Sequence, residues 1–365
     1  MVTVTRKQVL GHRLRAQQLD RETTAVAEAA VLDIGAQDSG PDGARWALSI
    51  RGVDVGGLAD SELATAWTVR GAPHVYRRSD LAAVAAAVEP YSDGDAGKRI
   101  YDASKPLKAA GIGNIEALDT VAAAMRSVVV EPMVKGDVSS RVAAMVEPAY
   151  LRSCRPCDAI HLYEMPFRLA ALRAGLELQA GTSPPVLQRI EGFERSAVAH
   201  ERFDLVRCYL HLLGPATLRQ VATYLDAPVA DVKARWPGDA LQVSVDGETR
   251  WVLGLDETEL AAGLPKAVRL LGPFDLFLQA RDRALLVGDP ARAKALWPVL
   301  GRPGAVLVDG EVAGMWRPRK AGGKLRVQVE VWVRSTAALR DRIGEQAQHL
   351  AAHRGLRLAG VDDSP

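Results

Sequence analysis

Cysteine is scarce, with three residues in 365. That is too few for a disulfide framework, and it fits a reducing compartment. No apolar run approaches the ~20 residues needed to span a bilayer, and residues 1–11 lack the apolar centre of a secretory signal. A cytoplasmic protein is therefore expected. An excess of one charge is missing too: 46 Lys+Arg stand against 44 Asp+Glu, for a formal net charge of +2. Bulk positive charge cannot drive nucleic-acid binding here, so any such binding must come from a local patch. Several chemical signatures are also absent. Gly111-Ile112-Gly113-Asn114 lacks the strand, spacing and downstream acid of a dinucleotide fingerprint. There is no Gly-x-Ser-x-Gly elbow and no His-Glu-x-x-His pair. These absences weigh against nucleotide-dependent enzymes and the common hydrolases, and no cofactor is expected. What remains is an ordinary globular composition, 48% hydrophobic and 25% charged, in a chain long enough for two or three domains.

One architectural unit is clear at residues 203–253. Leu205, Val206, Tyr209, Leu210, Leu212 and Leu213 recur with helical spacing until Gly214-Pro215 stops them. Thr217 is placed to cap a second helix over 218–225, which Asp226-Ala227-Pro228 breaks. A third short helix, 229–236, ends at Pro237-Gly238. Residues 241–245 and 248–253 then alternate like two strands around Asp246-Gly247, the signature of a type I′ turn. Three helices followed by a hairpin is the winged-helix order, in which the third helix commonly enters the major groove. Two weaker versions lie upstream. The first has helices near 5–21 and 24–33, a loop holding Gln37-Asp38-Ser39-Gly40-Pro41, a helix at 42–51, then 61–67 and an extended 68–76. The second has an Ala-rich helix at 115–130, a helix capped by Ser139 and running to about 150, another at 165–174, and a wing formed by 176–179 and 186–189. The last third alternates like a β-meander over 305–308, 311–317 and 324–333, followed by a helix at 335–353 capped by Ser335. Residues 256–264 and 288–290 are candidate linkers. The expected fold is α+β, mainly α: three tandem winged-helix units (1–78, 79–200 and 201–262) and a small C-terminal β-barrel or meander (263–365).

The charge is unevenly placed. Arg317, Arg319, Lys320, Lys324 and Arg326 straddle Ala321-Gly322-Gly323, with no acidic residue between Val312 and Val329. A hairpin with that tip can lay its cations on phosphates while Trp316 supplies an apolar wedge or stacking face. Five engaged phosphates would give log K a slope against log salt of roughly −4 to −5. The plainer alternative is an edge strand kept soluble by Lys and Arg.

Two other groups carry possible chemistry. Cys154-Arg155-Pro156-Cys157 with His161 has metal-ligand residue types, and Cys208 with His211 could complete a four-ligand set. The missing second Cys-x-x-Cys pair favours buried small residues and a cap histidine instead, so no metal is assigned. In the loop at Gln37-Asp38, an amide can orient a water without titrating, and Asp38 can accept a proton or stabilise a developing cation. Read from the residues alone, the same loop also fits a helix terminus followed by an Asx-type turn.

Together these pieces resemble the AlkZ/YcaQ family of winged-helix DNA glycosylases, the helix-turn-helix 42 group. The resemblance covers nearly the whole chain. Its most specific segments are Leu32-Asp33-Ile34-Gly35-Ala36-Gln37-Asp38, Ala66-Trp67-Thr68-Val69-Arg70-Gly71-Ala72-Pro73-His74, Gly272-Pro273-Phe274-Asp275 and Gly310-Glu311-Val312-Ala313-Gly314-Met315-Trp316-Arg317. It implies tandem winged-helix units forming a concave DNA-binding face closed by a small barrel, with the hairpin around 317–326 near the lesion. It also implies that Gln37 positions the water attacking C1′ and Asp38 assists, with Arg51, Arg70 and His74 near the DNA backbone. The family's Gln-x-Gln or Gln-x-Asp motif is altered here, because Gly35 occupies its first position. Ala72 likewise stands where the family has Thr. Two function classes follow. One is a cofactor-free, monomeric, monofunctional glycosylase acting on alkylated or crosslinked purines in double-stranded DNA. The other, motivated by Gly35, is a non-catalytic winged-helix protein that recognises lesions or structure or regulates transcription. A third use of the winged helices would be protein contact.

Overall fold

Thr5 shows why the first helix starts where it does. Its hydroxyl accepts the Gln8 amide N–H, and the Gln8 side chain accepts the Thr5 N–H at 2.9 Å, a reciprocal cap. The helix Arg6–Ala16 stops short of the expected 21 because Gln18 turns into the left-handed region at φ 58°. The computed structural model describes residues 2–59, 61–154 and 158–363. Its chain forms two compact units. One comprises Met1–Leu58, Cys208–Gln220 and Pro237–Pro365; the other comprises Ala59–Arg207 and Val221–Trp236. No described helix is long and apolar enough to cross a membrane.

The first unit is built around a five-stranded sheet curled into half a barrel. Val268–Leu271, Gly304–Val308, Glu311–Ala321 and Lys324–Val331 pair antiparallel in sequence order. Asp309 (φ 47°) and Gly310 (φ 83°) make the tight turn between the second and third. Arg357–Asp363 then adds a fifth strand, parallel to Lys324–Val331. A parallel partner needs a long crossover, and the helix Ala337–His353 supplies it. That helix is capped by the Thr336 hydroxyl, one residue beyond the expected Ser335. The expected barrel is therefore open, and its last strand carried no strong pattern in the sequence.

The helices Leu205–Leu213, Leu218–Leu225 and Val229–Ala234 and the strands Ala240–Val245 and Glu248–Leu253 follow in the expected order. Thr217 and Gln220 cap the second helix reciprocally. Asp246 and Gly247, at φ 50° and 82°, close the hairpin with Val245 opposite Glu248. Val2–Val4 joins this hairpin as a parallel third strand. The two candidate linkers are ordered elements: 256–264 holds the helix Glu257–Leu260, and Asp289 caps the helix Pro290–Leu296.

In the second unit, the helices Asn114–Val128 and Glu164–Arg173 bury one apolar cluster that includes Leu118, Val121, Met125, Phe167 and Ala170. The helix expected from Ser139 to 150 instead runs Lys135–Ala143, and Pro148 keeps the chain before it from continuing as helix. The strands Pro73–Arg77, Leu63–Trp67, Leu176–Leu178, Val186–Arg189 and Met133–Val134 lie side by side in that order. Leu63–Trp67 and Pro73–Arg77 are joined by a turn in which Arg70 (φ 59°) and Gly71 (φ 64°) are both left-handed.

That turn explains much of the Trp67–His74 motif. The Arg70 guanidinium lies 4.5 Å over the Tyr224 ring and donates to the Tyr224 carbonyl at 2.8 Å. His74 is fully buried; its Nδ1 lies 2.9 Å from the Ala72 carbonyl and 3.0 Å from the Thr68 hydroxyl. The DNA contact expected of His74 is thus replaced by a structural role, because a side chain with no exposed surface cannot reach a phosphate. Arg70 is half-buried and engaged with the end of a helix.

Burial, reinforced by the nearby Arg70 charge, pulls the His74 pKa from 6.5 down to about 3. A histidine whose folded pKa lies below its unfolded value stays neutral in the native state, so acid favours unfolding. Its contribution is intact above pH 6.5 and is lost as the pH falls from there toward 3, at about 1.4 kcal/mol per pH unit. Urea midpoints measured from pH 7 to 4 should fall less steeply for His74→Gln than for the wild type. Parallel curves would show that His74 is not the acid-labile group.

Candidate active site

The Gln37 loop is set by its two ends. The short helix Val31–Ile34 ends at Gly35, which has φ 92° and ψ 127°, a backbone conformation that a side chain disfavours. Gly35 therefore does more than remove a polar group: a glutamine there would strain the path that leads to Gln37. Past Gly35, residues Ala36–Gln37 are extended. The Gln37 Nε2 donates to the Ser39 hydroxyl at 2.9 Å. An amide carries its donor and its acceptor on opposite atoms, and its carbonyl oxygen is the kind of group that can take a water proton. Asp38 is exposed, and its Oδ1 accepts the Ala44 N–H at 3.0 Å at the start of the helix Ala44–Ser49. The carboxylate reaches that N–H because residue 43 is glycine; a Cβ there would stand 2.4 Å from Asp38 Oδ1.

The helix behind the loop is fixed by buried polar bonds. Arg354 grips Asp42 with two nitrogens, anchoring the far end of the loop to the C-terminal helix. Trp46 is fully buried, and its Nε1 donates to the Leu270 carbonyl at 2.8 Å. Arg51 has no exposed surface, and all five of its N–H donors are engaged. They reach the Gln17 carbonyl (2.9 Å), the Gln17 side chain (3.1 Å), the Ala47 carbonyl (2.7 Å) and both Asp275 oxygens (2.7 and 2.9 Å). Its expected place near the DNA backbone is corrected accordingly, since no donor remains for a phosphate. Asp275 belongs to the Gly272-Pro273-Phe274-Asp275 segment. A Cβ on Gly272 would stand 2.3 Å from the Asp42 carbonyl oxygen, so only glycine lets this segment lie against the end of the Gln37 loop.

The basic hairpin belongs to the same unit. Arg317, Arg319, Lys320, Lys324 and Arg326 are all exposed, while Leu325, Val327 and Val329 are buried on alternate positions. Arg319 stands directly opposite Arg326 across the pair, and Lys324 opposite Arg357 of the fifth strand. Like charges placed opposite one another oppose pairing. Arg326 offsets part of this through Asp362 of the fifth strand, 2.6 Å away, which leaves Arg319, Lys324 and Arg357 as the neighbouring cations. Sequence reasoning missed Arg357 because nothing marked 357–363 as a neighbouring strand. Trp316 does not serve this face as a wedge. It is 1% exposed, donates to the Leu271 carbonyl at 2.9 Å, and packs where a Cβ on residue 304 would collide with its ring.

The structure thus gathers Gln37, Asp38 and the hairpin cations in one unit and places Arg70 and His74 in the other. Of the candidate metal ligands, Cys157 lies outside the described residues, and His211 is bonded through Nδ1 to Asp256 at 2.9 Å. No group of three or more His, Cys, Asp or Glu among the described residues is placed to hold a metal ion.

Arg51→Met should leave Asp275 buried without its cation and lower stability by about 3–5 kcal/mol in urea denaturation. The double variant Arg51→Met/Asp275→Leu should recover most of that loss. A single variant of unchanged stability would return Arg51 to the candidate DNA-binding residues.

Comparison with known proteins converges on one family. The chain's fold matches the Streptomyces sahachiroi DNA glycosylase AlkZ with a TM-score of 0.75, covering 100% of each chain at 18% sequence identity. No curated protein matches. The family model described as DNA glycosylase AlkZ-like matches residues 10–353. A match over that length shows that this chain belongs to the AlkZ-like DNA glycosylase family.

Proposed function

We propose that the protein hydrolyses the N-glycosidic bond of alkylated or crosslinked purines in duplex DNA, without a cofactor. In this reading the chain is organised as three winged-helix units (1–78, 79–200 and 201–262) followed by the half-barrel region 263–365. The observation that carries it is the Gln37 loop: an amide bonded to Ser39, next in the chain to an exposed carboxylate, in the same unit as the hairpin of five cations. An N7-alkylated purine is cationic, so the C1′–N9 electron pair departs with it and neutralises its charge. Little general-acid help is needed. Gln37 then orients the water that attacks C1′, and Asp38 receives its proton while its charge stabilises the sugar cation. The exposed arginines and lysines of the hairpin hold the duplex by its phosphates.

A second reading rests on Gly35, which removes the first polar side chain of the family motif: a protein that binds lesions or regulates transcription without cutting. The two separate in one assay. Duplex carrying N7-alkylated purines is incubated with protein, and abasic sites are cleaved with alkali. Wild type should release base, and Gln37→Ala should lower the rate by about a hundredfold with binding nearly unchanged. Binding without release, equal in both proteins, would establish the non-catalytic reading. Replacing Arg319, Lys320 and Lys324 by Ala should flatten the salt dependence of binding by roughly 0.9 in log–log slope for each phosphate no longer neutralised. An unchanged slope would move the DNA face elsewhere.

A further inference from the structure

The burial of Trp316 leaves the basic hairpin without the apolar wedge expected of it, and a neighbouring loop has what it lacks. Val299 and Leu300 are 97% and 86% exposed, the two most exposed large aliphatic side chains among the described residues. Water does not favour such a pair at a loop tip unless something covers it. The loop follows the helix Pro290–Leu296 through Trp297-Pro298 and turns at Gly301, which has φ 64°. It is tied to the basic hairpin, because Arg317 Nη1 donates to the Gly301 carbonyl at 2.7 Å.

Both shoulders of the tip carry arginine on an aromatic ring. Arg283 lies 4.9 Å over the Trp297 ring, and Arg302 lies 4.9 Å over Phe274. The carboxylates nearby in sequence face elsewhere: Asp275 toward Arg51, Asp282 toward Arg13 and Arg250, and Asp289 onto its own helix N-terminus. Burial and neighbouring guanidinium groups lower the pKa of both Arg283 and Arg302, so cations crowd around this tip. Phe274 also ties the loop to the candidate active site. It sits two residues from Gly272, which lies against the end of the Gln37 loop.

We propose that the 297–302 loop is a DNA-inserting wedge, with Val299 and Leu300 entering the base stack beside the target nucleotide while Arg283, Arg302 and Arg317 hold the flanking phosphates. An aliphatic pair framed by cations fits a duplex, whose charge is on the outside and whose apolar surface appears where a base step opens. A base to be excised must leave the stack, and a side chain filling the gap keeps it out. This inference rests on the glycosylase reading and adds the element that extrudes the substrate.

The test uses the full chain and alkylated duplex carrying 2-aminopurine next to the lesion. Wild type should brighten the probe on binding as stacking is lost. Val299→Ser/Leu300→Ser should abolish that change and slow base release at least about tenfold, with much of the affinity retained. Val299→Ile/Leu300→Met should behave as wild type, which separates wedging from misfolding. Arg283→Ala/Arg302→Ala should lower the salt slope of binding by about 2. Wild-type protein that releases base, with the serine variant equal to it in both fluorescence and rate, would overturn the wedge alone. Wild-type protein that releases no base would overturn the glycosylase reading, and the wedge with it. Binding of anionic vesicles that the serine variant loses, with DNA behaviour unaltered, would assign the tip to a membrane surface and also overturn the proposal.

Discussion

The buried pair between Arg51 and Asp275 is the constraint on which the candidate active site depends. Two opposite charges without solvent contact are tolerable only when every donor and acceptor finds a partner, and here the guanidinium makes five bonds. Those bonds join the residue after the first helix, the helix behind the Gln37 loop and the segment that leaves the first strand of the half-barrel. A misplaced member would leave a charge stranded in a dry interior, so the geometry is strongly specified. The Gln37 loop can then be short and partly exposed, because the helix it leads into cannot drift.

Charge follows the same division between inside and outside. Several arginines act as internal ties: Arg13 to Asp282, Arg354 to Asp42, Arg99 to Asp95 and Arg51 to Asp275. Their carboxylate partners are thereby withdrawn from the surface. Of the cations left outside on the hairpin, Arg326 pairs with Asp362 at 2.6 Å, while the acids nearest in sequence to the 297–302 loop are turned to internal partners. Such internal pairs are neutral and leave the net charge of the surface near +2, so the face is positive because its cations are placed together.

Where local pattern decides structure, the sequence was legible. Residues 205–253 carry helical spacing, a capping threonine and an Asp-Gly turn that agree with one another, and the elements fall where those signals put them. The strands on either side of the 321–323 tip were legible from their alternation, a local property, although the first runs on to Ala321, past its expected end at Arg317. The fifth strand and the role of Trp316 were not legible. Arg357–Asp363 is a strand because a partner edge lies beside it, and Trp316 is buried because residue 304, twelve positions earlier, has no side chain.

Sequence by itself determined the kind of molecule this is: an intermixed helix and sheet protein with a Gln37-Asp38 loop, a motif altered at Gly35, and a cluster of five cations. The family motifs are strings of neighbouring residues, so they could be read without coordinates. Tertiary structure alone decided which of those residues face solvent. It turned Arg51, His74 and Trp316 inward, where hydrogen bonds replace water, and left Val299 and Leu300 outside. Exposure is a property of what packs on a residue from far along the chain, and no window of sequence contains it.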